Sequence, residues 1–373
     1  MRVLHVISGD LWAGAEAQAC TLLTTLQGMP GIEVAAALMN DGELAARLRA
    51  CAIPVTLLPE SKLGVPAIAR GLRALMLSWR PGVVHTHRLK ENILGSLVNA
   101  ASVRVPSLRT VHGAREHSAH GVLRLHKRAL LSVERFCGRH FQDRIVAVSN
   151  DLARQLAAEY PAKSIVVIEN GVDIEAVRAQ VRPVELRQSN PGGTHVGLVG
   201  RLVPVKRADL FLEMAAALLA AAPHRDWHFH LLGDGPLRAR LAERARELAI
   251  DARVRFHGHR ADSVACMAAL DLLVLCSDHE GLPMVLLESL VVGTPVVAHA
   301  VGAIPEVVGG CGGGRLVDSH TADAYAAAVV ESLGAGPHRV GPELLERIAQ
   351  RYSARANAQR VFDLYRSLVG EAA

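Results

Sequence analysis

Two doubly wound α/β domains in tandem are the architecture this sequence predicts, and three observations carry that expectation. Strand-like and helix-like segments alternate along nearly the whole chain, the pattern of parallel sheets whose strands are joined by helical crossovers. The alternation breaks once, in the polar run 183–194, which holds Pro183, Gln188, Ser189, Asn190, Pro191, Gly192 and Gly193. It then restarts, and 373 residues suffice for two such halves.

The elements follow in order. Arg2–Ser8 is a buried-strand run, followed by a glycine-containing turn from Gly9 to Gly14 and a helical stretch over Ala15–Gln27. Further strands are expected at Glu33–Leu38, Val55–Leu58, Val83–Thr86, Ser107–Val111, Arg144–Val148 and Ile165–Ile168, with helical periodicity between them. This predicts a first domain over residues 1–182 and a linker over 183–194. After the linker, His195–Val199 ends in Gly200 and Arg201, and a helix follows from Ala208 to Ala222. Strands are expected at His228–Leu232, Val254–His257, Leu272–Leu275 and Val296–Ala298, within a second domain over 195–352. The last helical stretch, Ser353–Val369 within 353–373, lies beyond the final strand and is expected to pack back on the first domain. Two Rossmann-like halves of this kind would present a cleft between the carboxyl ends of their strands, where ligands bind in such folds.

Composition narrows the function. Half of the residues are hydrophobic and 21% are charged, which is the make-up of a globular protein. Aromatics are only 3%, too few for a platform that stacks single-stranded nucleic acid. No run approaches the roughly 18 apolar residues of a membrane span, because Leu290 to Pro305 is cut by Gly293, Pro295, His299 and Gly302. The chain opens directly on a strand-like run, so the expectation is a cytoplasmic protein. The six cysteines are scattered without metal-ligand spacing. His85 and His87 share one strand face but bring no third ligand, so no metal site is expected.

The chemistry concentrates in three places. The segment Ser277-Asp278-His279-Glu280-Gly281-Leu282-Pro283-Met284 follows a strand and enters a helix, with Pro283 at its first position. The N–H groups of Met284 and Val285 would be orphan donors suited to phosphate oxygens. Glu280 in the loop suits a hexose and Glu288, further into the helix, a ribose, since carboxylates accept hydrogen bonds from sugar hydroxyls. The same pattern also describes an ordinary capped helix with one glutamate on its solvated face. The second place is Gly200-Arg201-Leu202-Val203-Pro204-Val205-Lys206, where two cations could stabilise a departing diphosphate without a metal. No Asp-x-Asp exists anywhere in the chain to hold a divalent ion. Gly233-Asp234-Gly235-Pro236 reads as a structural strand-to-helix turn. The third place lies in the first half. Gly14 lets backbone approach a ligand, His112-Gly113 follows a strand, and Glu16 at the start of helix one reads first as a dipole partner. No Gly-x-Gly-x-x-Gly is present, which disfavours a dinucleotide cofactor.

Taken in order, Arg201 with Lys206, Gly233-Asp234-Gly235-Pro236 and Glu280-x7-Glu288 resemble the donor domain of the GT-B retaining glycosyltransferases of family four. Ala13-Gly14-Ala15-Glu16, His85-Thr86-His87, His112-Gly113 and Asn170-Gly171-Val172-Asp173 resemble that family's acceptor domain, so the likeness spans nearly the whole chain. The resemblance implies transfer of a sugar from a nucleotide diphosphate donor with retention and without a metal or other cofactor. It places Glu280 on the donor sugar, Glu288 on the ribose, Arg201 and Lys206 on the diphosphate, Gly14 beside it and His112 near the sugar. Two departures stand out. Ala13 replaces a frequent glycine, and Pro283 removes an amide donor, leaving Gly281 and Leu282 to supply the backbone contacts. No nucleophilic carboxylate stands out in the acceptor half, which favours a front-face mechanism assisted by the leaving phosphate.

The implied reaction moves a hexose or N-acetylhexosamine, with UDP as the favoured carrier, to a glycan or lipid-linked acceptor in cell-surface polysaccharide or glycolipid synthesis. A nucleotide-sugar epimerase of the same fold and a silent binding subunit are the rivals. The intact Arg201, Lys206, Glu280 and Glu288 weigh against the latter. Charge bears on where such an enzyme works. Residues 1–190 carry 23 Lys/Arg against 16 Asp/Glu, and Arg104–Arg144 alone carries nine against three. Around Leu123–Arg139, Leu125, Leu130, Leu131 and Phe136 interleave with Arg124, Lys127, Arg128 and Arg135. That composition suits a peripheral helix on an anionic membrane surface, and equally a helix packed on its own domain. Nucleic acid is not expected as a partner, because no recognition motif accompanies the patch.

Overall fold

The computed structural model describes residues 1–9, 12–113, 122–188, 190–309, 312–334 and 340–371, with only the backbone at 122–127 and 371. The chain forms two units: residues 1–171 with 354–373, and residues 172–353.

The first unit holds seven strands: β1 (Arg2–Ile7), β2 (Glu33–Leu38), β3 (Val55–Leu57), β4 (Val83–His87), β5 (Ser107–Val111), β6 (Arg144–Ala147) and β7 (Ile165–Val167). They pair in parallel in the order β3-β2-β1-β4-β5-β6-β7. Helices cover both faces of such a sheet, so its central strands are buried on both sides. β1 is buried from Val3 onward. β4 is buried throughout although His85, Thr86 and His87 make up most of it, so these polar groups need partners inside the unit.

The second unit holds β8 (Thr194–Val199), β9 (Trp227–Leu232), β10 (Val254–Gly258), β11 (Leu272–Leu275), β12 (Val296–His299) and β13 (Gly314–Val317). They run parallel in the order β10-β9-β8-β11-β12-β13. In each unit the strand order reverses beside its first strand, at β1/β4 and at β8/β11. Ligands of doubly wound sheets bind at the carboxyl ends of the strands there.

Three expectations change. The first unit ends at Gly171, not at 182. The described residues of the run 183–194 belong to the second unit, where Leu186 is buried in one core with Val177. Val172 donates its N–H to the Tyr352 carbonyl (2.8 Å), which closes that unit where the chain leaves it. β13 lies outside the expected strand set because it is only four residues long and opens on glycine and an exposed arginine, which leaves little apolar pattern to read. The final helix, Ala354–Glu371, belongs to the first unit and sets Ala358, Val361, Tyr365 and Leu368 into a core with Val3, Ile7 and Leu23.

Candidate active site

The loops after β8 and β11 carry the charged residues of the second unit. Backbone packs directly on backbone here. A Cβ at Gly233 would overlap the Gly200 carbonyl, and one at Gly235 would overlap the carbonyl of Leu202, so glycine is required at both. The loop after β8 then turns through Pro204–Lys206, and Arg207 adopts the left-handed conformation, with φ +48°, at the start of the helix Ala208–Ala221. Arg207 pairs with Asp209 (3.1 Å) and reaches Asp278 in the neighbouring loop (3.3 Å). Asp278 donates its backbone N–H to the Val205 carbonyl (2.9 Å). The two loops are thereby tied together, and the tie brings Lys206 Nζ to Glu280 Oε1 at 2.5 Å. Ser277 Oγ donates to the same carboxylate oxygen (2.7 Å). Two histidines brace the loop from below: His299 Nδ1 donates to the Ser277 carbonyl (3.0 Å) and His320 Nε2 to that of Cys276 (2.8 Å).

Arg201 stands apart from this pair. It is exposed and its side chain makes no hydrogen bond or ion pair among the described residues, leaving its guanidinium available to an anion. Pro283 is the cap rather than the first residue of the helix Met284–Val291, a shift of one position. Met284 and Val285 open that helix, so their N–H groups have no intrahelical acceptor. The side chains of Leu282 and Met284 point into the core, so any ligand contact from these two is through backbone. Glu288 is half-buried on this helix, and desolvation raises its carboxyl to about 7. Near neutral pH it can therefore donate as well as accept a hydrogen bond. Gly302 lies outside the predicted set but shapes the loop. Its φ is +60°, a Cβ there would crowd the Gly281 carbonyl (2.6 Å), and Ala303 donates its N–H to that same carbonyl (2.8 Å). A glycine shortly after a strand end is the only sequence signal that could have pointed to it.

In the first unit, Gly14 opens the helix Gly14–Gln27, and a Cβ there would touch nothing within 4 Å. Among the described residues nothing makes a steric demand for glycine at this position. Glu16 lies in the first turn of this helix, where a dipole partner belongs, and it is also fully buried and bound by the Arg88 guanidinium (2.6 Å). His112 follows β5, and its Nε2 meets His87 Nδ1 at 3.0 Å. Burial first, and then the Arg88 charge, hold the His112 ring down to about 3, so it is neutral at physiological pH. A small cavity with room for about one water is lined by Gln18, His87, Thr110, His112, Asn170 and Asn357. His85 and His87 do have a third imidazole beside them. His5 on β1 brings the three potential ligand atoms within 4.8 Å of one another. The sequence could not show this, because β1 and β4 become neighbours only in the sheet.

Comparison with known proteins agrees with this arrangement. The family model for Glycosyltransferase Family 4 matches residues 12–176, and that for Glycosyl transferases group 1 matches residues 193–334. The chain is 30% identical over 325 residues to the 2-deoxystreptamine N-acetyl-D-glucosaminyltransferase of Streptomyces fradiae, covering 82% of this chain and 76% of that protein. The chain belongs to the group 1 glycosyltransferases of family 4. This glycosyltransferase is also 32% identical over 238 residues to the D-inositol 3-phosphate glycosyltransferase of Rhodococcus jostii, covering 60% of the chain and 52% of that protein. It thus spans about half the length of that second relative. In fold it resembles the Anabaena protein HepE in complex with UDP-glucose, with a TM-score of 0.82 at 21% identity over 98% of this chain and 100% of that one. Its two parallel-sheet units are those of the GT-B fold.

Proposed function

We propose that this glycosyltransferase moves a hexose or N-acetylhexosamine from a UDP-sugar to a hydroxyl of a glycan or lipid-linked acceptor, with retention and without a metal. In this reading it works in the cytoplasm. The Lys206–Glu280 pair is the observation that carries the proposal. It lies beside the switch point of the second sheet, with exposed Arg201 in the same loop. On donor binding the pair separates. Lys206 turns to the diphosphate with Arg201, and Glu280, still held by Ser277, accepts from the sugar hydroxyls. The orphan N–H groups of Met284 and Val285 face phosphate oxygen, with Gly281 and Leu282 contributing backbone to the sugar and Glu288 meeting the ribose.

Retention through a covalent intermediate would need an available carboxylate in the first unit. Glu16 is bound to Arg88 and Glu134 to Arg109, both deeply buried, while burial raises the Glu91 carboxyl to about 7. These engagements support a front-face path in which the acceptor proton passes to the departing phosphate. The two named relatives act on 2-deoxystreptamine and D-inositol 3-phosphate by their names, which favours a small free cyclitol as the second reading of the acceptor.

Transfer from UDP-glucose and UDP-N-acetylglucosamine in excess EDTA tests the proposal, with proton NMR reporting the anomeric configuration. An α-linked product formed at an undiminished rate is expected. A β-linked product, or loss of activity restored by magnesium or manganese, overturns it.

A further inference from the structure

The buried histidines of the first unit form one continuous hydrogen-bonded path. His112 Nε2 meets His87 Nδ1 at 3.0 Å, and His87 Nε2 meets His5 Nδ1 at 3.1 Å. His5 Nε2 lies 3.3 Å from the Tyr365 hydroxyl, which lies 2.6 Å from His85 Nδ1. His85 Nε2 ends the path on Thr110 Oγ1 at 2.8 Å. His112 and His87, and likewise His87 and His5, are tilted by only 20°, with centroids 5.3 and 5.4 Å apart. Those separations fit rings joined edge to edge, each N–H aimed at the next lone pair. At the outer end, His112 Nδ1 is buried and has no hydrogen-bond partner among the described residues, and His112 lines the cavity. Thr110, at the other end, lines the same cavity.

We propose that this path is a reversible proton relay that decides which tautomer His112 presents to a bound hydroxyl. In one state every N–H points away from His112, whose Nδ1 is then a lone pair. In the other every N–H points toward it, and Nδ1 is a donor. Both states satisfy every internal contact, because the Tyr365 and Thr110 hydroxyls can each donate or accept. The exchange balances. A hydroxyl gives its proton to His112 Nδ1, and one proton shifts along each link to Thr110. The threonine proton returns through a water in the cavity, which both ends of the path line, to the oxygen of that hydroxyl, so neither the rings nor the hydroxyl nor the water is left charged. The desolvated rings favour this neutral exchange, since burial lowers the basicity of all four histidines. The Arg88 charge further opposes protonation of His87 and His112.

Two comparisons sharpen the point. In the second unit, His195, His230 and His257 form a similar strip across β8, β9 and β10, with links of 2.9 Å. There His195 Nε2 meets the Asn190 carbonyl (2.9 Å), which can only accept, so the direction of that strip is locked. A metal held by His5, His85 and His87 fits less well. His85 and His87 stack face to face at 4.4 Å and 19°, so their in-plane lone pairs run side by side instead of converging.

The relay itself does not depend on the enzyme reading; its use by a sugar hydroxyl rests on the glycosyltransferase assignment above. Nitrogen-15 NMR of histidine-labelled protein without substrate tests the relay, with His112 assigned by its loss in His112→Gln. In the wild type both His112 nitrogens are expected at averaged shifts, between those of a protonated and a bare nitrogen. Tyr365→Phe and Thr110→Val should each separate them to the two limiting values, while Thr110→Ser keeps the average. A single tautomer in the wild type, or unchanged shifts in Tyr365→Phe and Thr110→Val, overturns the proposal. Failure of the enzyme reading would show separately, as absence of sugar transfer by wild-type protein.

Discussion

Mild acid should destabilise the first unit, and the buried histidines set the size of the effect. Burial holds His5 and His112 down to about 3, against 6.5 for an ordinary histidine, and His85 and His87 shift the same way. Below pH 6.5 the unfolded chain therefore binds protons that the folded unit refuses. Stability is full above that pH and falls as pH drops toward 3. Each such ring removes about 1.4 kcal/mol per pH unit. Glu91 works in the opposite sense. Burial raises its carboxyl from 4.5 to about 7, so the folded unit gains a proton first and is stabilised as pH falls through that window. Four rings offset by one carboxyl leave a net slope of about three protons, or about 4 kcal/mol per pH unit between 6.5 and 4.5. A unit with about 5 kcal/mol to spare would then unfold near pH 5. Urea denaturation between pH 7.5 and 5, with hydrogen exchange of the β1 and β4 amides as the local probe, measures this slope. His112→Gln should reduce it by about one proton. Stability that stays level or rises between pH 6.5 and 5 would show instead that the rings titrate normally in the folded chain.

Three further outcomes are expected. Lys206→Ala and Glu280→Ala should each abolish transfer while circular dichroism stays unchanged, because both are loop residues outside the cores; wild-type turnover by either refutes the donor site. Gly302→Ala should cost about 1–3 kcal/mol, because the position needs positive φ and its Cβ would crowd the Gly281 carbonyl, and an unchanged melting temperature would count against that geometry. The protein should sediment with anionic vesicles at low salt, and Arg124, Lys127 and Arg128 changed together to glutamine should release it without weakening nucleotide binding. The side chains of Arg124, Leu125 and Lys127 lie outside the described residues, but further along the helix Val122–His140, Leu130, Val133 and Phe136 are exposed. Wild-type protein that ignores such vesicles rules the docking out.

The sequence by itself determined what is local. β2 and β11 fall on the expected residues, because a strand buried on both faces writes itself as an apolar run; β5 falls there too, although three of its five residues are polar. The loops 200–206 and 277–288 were legible as well, since in each a strand end, a glycine, charged residues and a helix start lie close together along the chain. The tertiary structure alone decided what depends on strand order. Nothing local says that β4 lies beside β1, so the third imidazole next to His85 and His87 stayed hidden. The separation of 280 positions between His85 and Tyr365 likewise concealed that a phenol on the last helix completes the histidine path. The pairing of Lys206 with Glu280 needed the adjacency of β8 and β11. The unit boundary moved to 171 because Val172 is held by Tyr352, whereas polar composition had pointed to 183–194. Periodicity reports which face of an element is buried; which distant side chain must satisfy a buried polar group is settled only when the sheet assembles.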